Sequence, residues 1–183
     1  MPILGVIASS IYKSSFTPTG SYDALAVYTV GSGGASSITF AGIPQSGYQH
    51  LQIRGIVNGA GTGALRYKFN DDAGANYTYH FLDGNGSSTL AGGDPNSYMD
   101  IFYPVSSTSN IFSGVISDIL DYTNTTKYKT VRNLAGTDLN GSGRFGLKSG
   151  MWMNTSAINS INIYSAGGNL SEYSQFALYG IRG

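Results

Sequence analysis

The chain has 183 residues with ten basic and ten acidic side chains, two histidines and no cysteine, and only 11% of it is charged, against roughly 25% in an average soluble protein. Disulfides, thiolate metal sites and cysteine nucleophiles are excluded. A zero net charge without a basic cluster leaves no electrostatic footprint for nucleic acid or an anionic membrane surface, and it removes the self-repulsion that keeps copies apart.

Glu172 is the only glutamate, and Leu and Lys are sparse, whereas Tyr, Ile, Val, Thr, Gly, Ser and Asn abound. Helix formers are missing, and apolar residues recur with period two in short blocks between turn residues. The reading is an all-β chain forming a single domain over 1–183. The N-terminal MPILGVIASSIYK lacks a basic residue ahead of its short apolar run, so neither export nor membrane insertion is expected. Ile3 to Tyr12 is the first expected strand, with 1–12 acting as a docking strand or arm.

Further strands are expected at Tyr22 to Val30, Ser36 to Ala41, Tyr48 to Val57, Ala64 to Phe69, Tyr77 to Leu82 and Tyr98 to Val105. The second half adds Ile111 to Tyr122, Lys127 to Leu134, Arg144 to Met153, Ile158 to Tyr164 and Gln175 to Ile181. So many short strands indicate a sandwich or barrel. Asp83 to Ser97, rich in Gly and Ser, reads as an exposed excursion.

In YQHLQIRGI, Leu51, Ile53 and Val57 form an inward set and leave Tyr48, His50, Gln52 and Arg54 on the opposite face, where no carboxylate or second histidine accompanies His50. Ile111 to Tyr122 is apolar on both faces, with Phe112, Ile116 and Leu120 on one and Ile111, Val115 and Ile119 on the other. It reads as a central strand covered on each side. Asp121 to Thr126 supplies turn residues, and Lys127 to Leu134 returns as the hairpin partner.

Chemical motifs are few. Asp118 and Asp121 suggest the paired carboxylates of a glycoside hydrolase, but residues three apart on a strand point to opposite faces, and pairing with Lys127, Lys129 or Arg132 explains them. Gly141 to Gly146 spells G-x-G-x-x-G, yet LKSGMWM follows as strand rather than helix, so a β-turn is expected. Asp83, Asn85, Ser87 and Asp94 outline a calcium loop without its glycine or terminal glutamate. Asn70 to Gly74 reads as an Asx-rich turn. With only His50 and His80, a serine triad or multi-histidine site has little material, and the N-x-S/T sites follow from composition. No enzyme activity and no cofactor are expected.

The 14 tyrosines are the most suggestive feature, because a large ring with a polar tip suits protein interfaces and glycan platforms. The candidate interface residues are Tyr48, His50, Gln52, Arg54, Tyr77, Tyr79, Tyr98 and Tyr103.

The combination of SITFAGIP, YQHLQIRG, DILDYTNTTKYKT and a closing LYGIRG resembles small virion proteins of tailed bacteriophages over essentially the full length. The resemblance implies a jelly-roll-like antiparallel β-sandwich on the virion exterior, made in the host cytoplasm and without catalysis. It implies a homo-oligomer, most simply a trimer, that decorates or cements the capsid against the major capsid protein or other virion proteins. The alternative is a tail-fibre module that recognises host surface glycans.

Overall fold

The computed structural model describes residues 21–183, so the expected strand at Ile3 to Tyr12 lies outside the described residues. Within them are β1 (Tyr22–Thr29), β2 (Ser37–Ala41), β3 (His50–Val57), β4 (Leu65–Phe69), β5 (Tyr77–Gly84) and β6 (Thr89–Asn96). β7 (Met99–Phe102), β8 (Ser113–Leu120), β9 (Lys129–Asp138), β10 (Gly143–Trp152), β11 (Ser160–Ser165) and β12 (Gln175–Ile181) complete the chain.

An eight-stranded antiparallel sheet, ordered β1-β12-β3-β8-β9-β10-β5-β6, packs on a four-stranded one ordered β2-β11-β4-β7. The all-β sandwich read from the sequence is therefore the fold, and every described strand expectation falls on a strand. Neighbours such as β3 and β12 are far apart in sequence, as crossing between two sheets requires.

Period-two alternation builds the core. From the large sheet, Leu51, Ile53, Val115, Ile119, Val131, Phe176 and Leu178 point inward, and Ile38, Phe40, Leu65, Tyr67, Phe69, Ile161 and Ile163 meet them from the small sheet. At the β5 and β10 side, the Trp152 ring lies 5.5 Å from Phe69 and 6.3 Å from Tyr77. Such aromatic contacts add to what area burial alone contributes.

Two expectations are corrected. Asp83 to Ser97 is not an excursion but the end of β5, a tight turn and β6, which pairs with β5 from Tyr77↔Asn96 to Gly84↔Thr89. Its sequence, TLAGGDPN, lacks alternation because nearly all of this edge strand is exposed, and Pro95 is tolerated there as on other edges. β8 is central, as expected, but covered on one side only: Val115 and Ile119 are buried whereas Ile116 stays 37% exposed.

Asn70 to Gly74 does form an Asx-type turn. Asp72 accepts hydrogen bonds from the Gly74 amide at 2.8 Å, from Asn76 Nδ2 at 2.9 Å and from the Trp152 indole N–H at 2.7 Å. Burial raises the Asp72 carboxyl, but these bonds outweigh it and hold the group below its ordinary range. The stability it lends is present above the unfolded carboxylate range and is lost as pH falls through the lower folded value. Asp72→Asn is therefore expected to flatten the acid limb of stability, read by urea denaturation at pH 6 and pH 3. An equal loss in both proteins would contradict this role.

Candidate functional site

Among the described residues, the four-stranded sheet covers one face of the eight-stranded sheet and none covers the other. In antiparallel pairs, opposed residues send their side chains to the same face. Val27 of β1 lies opposite Ala177 of β12, which lies opposite Arg54 of β3, and Arg54 opposes Ile116 of β8. Ile116 opposes Leu134 of β9, then Leu147 of β10, Leu82 of β5 and Ala91 of β6. One transverse row of the outer face is thus aliphatic on seven of eight strands.

These side chains are open to solvent: Val27 is 59% exposed, Leu82 54% and Leu147 48%. The adjoining row runs Gln175, Ile56, Gly114, Gly136, Phe145 and Gly84. There the glycines leave a shallow trough between Ile56 and Phe145, both about half exposed. On the other side runs a polar row of Tyr179, Gln52, Asp118, Arg132, Ser149 and His80.

With strands about 4.8 Å apart and same-face residues about 6.8 Å apart, three rows across eight strands span about 700 Å². A standard protein interface takes about 800 Å² per partner. The aliphatic row contributes about a third of that area, with the polar row along one flank.

Arg54 is the one charge in the aliphatic row. Its Nε donates to Gln52 Oε1 at 2.6 Å, and Gln52 Nε2 donates to Asp118 Oδ1 at 2.7 Å. The guanidinium lies 5.7 Å from the Tyr22 ring centre and 5.6 Å from that of Tyr179. A clamped Arg flanked by tyrosines loses little freedom when a partner covers it, which is how interface hot spots are built.

Of the expected interface residues, His50, Gln52 and Arg54 lie on this face of β3, whereas Tyr48 packs over Gly180 on the opposite, core-facing side, which corrects its assignment to the outer surface. Tyr48 donates to Asp23 Oδ2 at 2.9 Å and, with Arg182 on the same carboxylate, ties β1 to the C-terminal strand. The Arg182 hydrogen bond, with that of Tyr48, holds the Asp23 carboxyl below its ordinary value. Gln52 is mostly buried under Arg54.

Tyr77 and Tyr79 point inward and are core residues, which corrects their assignment to an outer surface. Tyr98 lies under the Arg66 guanidinium at 3.8 Å, beside the inter-sheet charges. Tyr103 is 47% exposed, at one end of the sandwich rather than on the sheet face. The residues that sequence reasoning passed over are Ile116, Leu134, Leu147 and Leu82, each an unremarkable apolar side chain until strand order aligns them.

The polar groups around the β8–β9 loop are partnered structurally. Lys129 is fully buried and donates to the carbonyls of Asn124 at 2.5 Å, Thr155 at 3.1 Å and Lys127 at 3.2 Å, closing the loop between β8 and β9. Burial pushes its ammonium below the ordinary lysine value. Asp121 pairs with Lys127 and accepts from Gln49 Nε2 at 3.0 Å, while Asp118 serves Gln52. The two aspartates hold separate networks.

The calcium outline dissolves into a hairpin turn: Asn85 Oδ1 accepts from the Ser87 and Ser88 amides, and Asp94 sits in β6 opposite Tyr79. The six residues Gly141 to Gly146 run from the β9–β10 turn into β10, as the β-turn reading required. Among the described residues, no three His, Cys, Asp or Glu side chains gather as a metal-binding group. No known protein family, curated protein or solved structure matches the chain.

His50 does have a carboxylate near it, because Asp121 of the following turn comes within 3.5 Å of Nδ1. More telling, the Asp121 backbone N–H donates to Nδ1 at 2.9 Å. Nδ1 is then an acceptor, and the neutral ring carries its proton on Nε2. Long-range ¹H–¹⁵N correlation spectra at neutral pH are expected to show that tautomer for His50. A proton on Nδ1 would remove His50 as the anchor of this turn.

Proposed function

We propose that the chain is a non-enzymatic structural subunit of a bacteriophage virion, a homo-oligomer that decorates or cements the capsid exterior. The observation that carries this reading is the aliphatic row across the eight-stranded sheet that no described residue covers. The virion setting comes from the resemblance of SITFAGIP, YQHLQIRG and DILDYTNTTKYKT to small tailed-phage proteins, and the trimeric state from the same source.

The physical argument for assembly is independent of that setting. Apolar surface removed from water stabilises association by roughly 25 cal/mol per Å² before the costs of association are subtracted. The polar row beside the aliphatic one supplies hydrogen-bonding groups for register. A low charge, with ten basic and ten acidic residues, leaves little repulsion between copies. On a repeating lattice, several such contacts act together by avidity. Partners are other copies of the chain and the major capsid protein or its neighbours in the virion.

Placing a carboxylate in the row should dissociate the assembly without disturbing the inward core. The Leu134→Glu/Leu147→Glu double variant is expected to sediment as a monomer with unchanged far-ultraviolet circular dichroism, while the native protein sediments as an oligomer. A native protein that stays monomeric at every concentration would overturn the reading, as would a saccharide hydrolase activity lost in Asp118→Asn.

A further inference from the structure

A buried ion pair ties the two sheets together. Lys148 stands on the inward face of β10 in the eight-stranded sheet, and its ammonium donates to Asp100 Oδ1 of β7 in the four-stranded one. Lys148 is 7% exposed and Asp100 5%. Lys129, the other buried lysine among the described residues, is held by three backbone carbonyls instead. Taking two charges out of water is offset only when their remaining protons and lone pairs, and those of the groups around them, find partners.

Here several do not. Four buried side-chain atoms of the described residues lack a hydrogen-bond partner: Arg66 Nε, Asp83 Oδ1, Asn133 Oδ1 and Arg144 Nε. All four belong to this neighbourhood. Arg66 Nε lies 3.8 Å from Asp100 Oδ2. Asn133 sits directly opposite Lys148 in the β9–β10 ladder, and its Nδ2 donates to the Asp100 backbone carbonyl at 3.3 Å. Asp83 lies two residues along β5 from Phe81, which opposes Lys148, so it shares the inward face within reach of a long side chain. Arg144 Nε is 3.2 Å from Asp83 Oδ2 but too poorly aligned to donate to it. Unpaired polar atoms gathered in a core call for an explanation.

A covalent bond supplies one. With Nζ touching Oδ1, the nitrogen stands one C–O bond from the carboxyl carbon, and the fixed geometry replaces a bimolecular encounter. The Tyr79 and Phe81 rings, 5.4 Å and 5.5 Å from Nζ, wall the pair from water. Burial raises the Asp83 carboxyl, with Lys148 and Arg144 offsetting part of that cost, which makes it a better proton carrier than an ordinary carboxylate.

We infer that Lys148 and Asp100 condense to an intramolecular amide between Lys148 Nζ and Asp100 Cγ. The ammonium gives one proton, through Asp83, to Asp100 Oδ1. The electron pair of the neutral amine then forms the N–C bond and pushes a C–O pair onto Oδ2, beside the unpartnered Arg66 Nε–H. A second nitrogen proton, again carried by Asp83, passes to Oδ1, which leaves as water while Oδ2 recovers its double bond. Asp83 ends as it began, and no other reactant is needed. The product offers an N–H to Asn133 Oδ1 and a carbonyl to Arg66 Nε, and it removes two charges from the core. The inference does not rest on the assembly reading, because the outer sheet face contributes none of these side chains.

The test is intact-mass spectrometry of the native protein, denatured just before measurement, followed by tryptic mapping. The expected mass is lower by one water than the sequence requires, and digestion should yield a branched peptide joining residues 69–127 to 145–182, with Lys148 uncleaved. Asp83→Asn, which keeps the side-chain size, is expected to retain the full mass of its sequence with unchanged far-ultraviolet circular dichroism. The native mass decides the question even where that variant fails to fold. A folded native protein at full sequence mass, a water loss that maps to a cyclic imide at Asp83-Gly84, or complete linkage in Asp83→Asn would overturn the assignment.

Discussion

A sheet has two faces, and a four-stranded sheet can cover only one face of an eight-stranded one. Everything distinctive in this chain follows from that imbalance. The inward set of Leu51, Ile53, Val115, Ile119 and Val131 is sealed by the small sheet, and period two then forces every second residue of the same strands outward. Ordinary antiparallel sandwiches make that second set polar. Here Ile56, Ile116, Leu134 and Leu147 are outward and apolar, and among the described residues they stay open to water.

The charges that the chain does carry are spent at special points, and their placement separates two surfaces. At one end of the β8–β9 hairpin, Lys129 satisfies loop carbonyls and Asp121 gathers Lys127, Gln49 and His50, which is structural work. At the other end, Arg144, Asp83, Lys148 and Asp100 form a partly satisfied cluster against a cavity. The sheet face is apolar and the end is charged, so the two surfaces differ in chemistry.

How much of this was legible in the residues depends on range. Alternation within one strand was enough to place β3, β8 and β12 and to set Leu51 and Ile53 against Gln52 and Arg54. β6 was illegible because TLAGGDPN has no inward set; it is a strand only because β5 offers a ladder. Tyr77 and Tyr103 are the same residue type, and only packing makes one core and the other rim. His50 lacked a visible carboxylate because Asp121 reaches it from another strand's turn. The aliphatic row was hidden most deeply, since Val27, Ala177, Ile116, Leu134, Leu147 and Leu82 become neighbours only once the order β1-β12-β3-β8-β9-β10-β5 is known.

The most direct measurement is the accessibility of the outer methyl groups to a soluble gadolinium chelate, followed by methyl-selective NMR as protein concentration rises. If this face is where copies meet, the methyl signals of Ile116, Leu134 and Leu147 become shielded as the protein associates, while that of Leu139 in the end turn stays open. Relaxation of all four that remains equal to the dilute, monomeric value throughout would contradict the account.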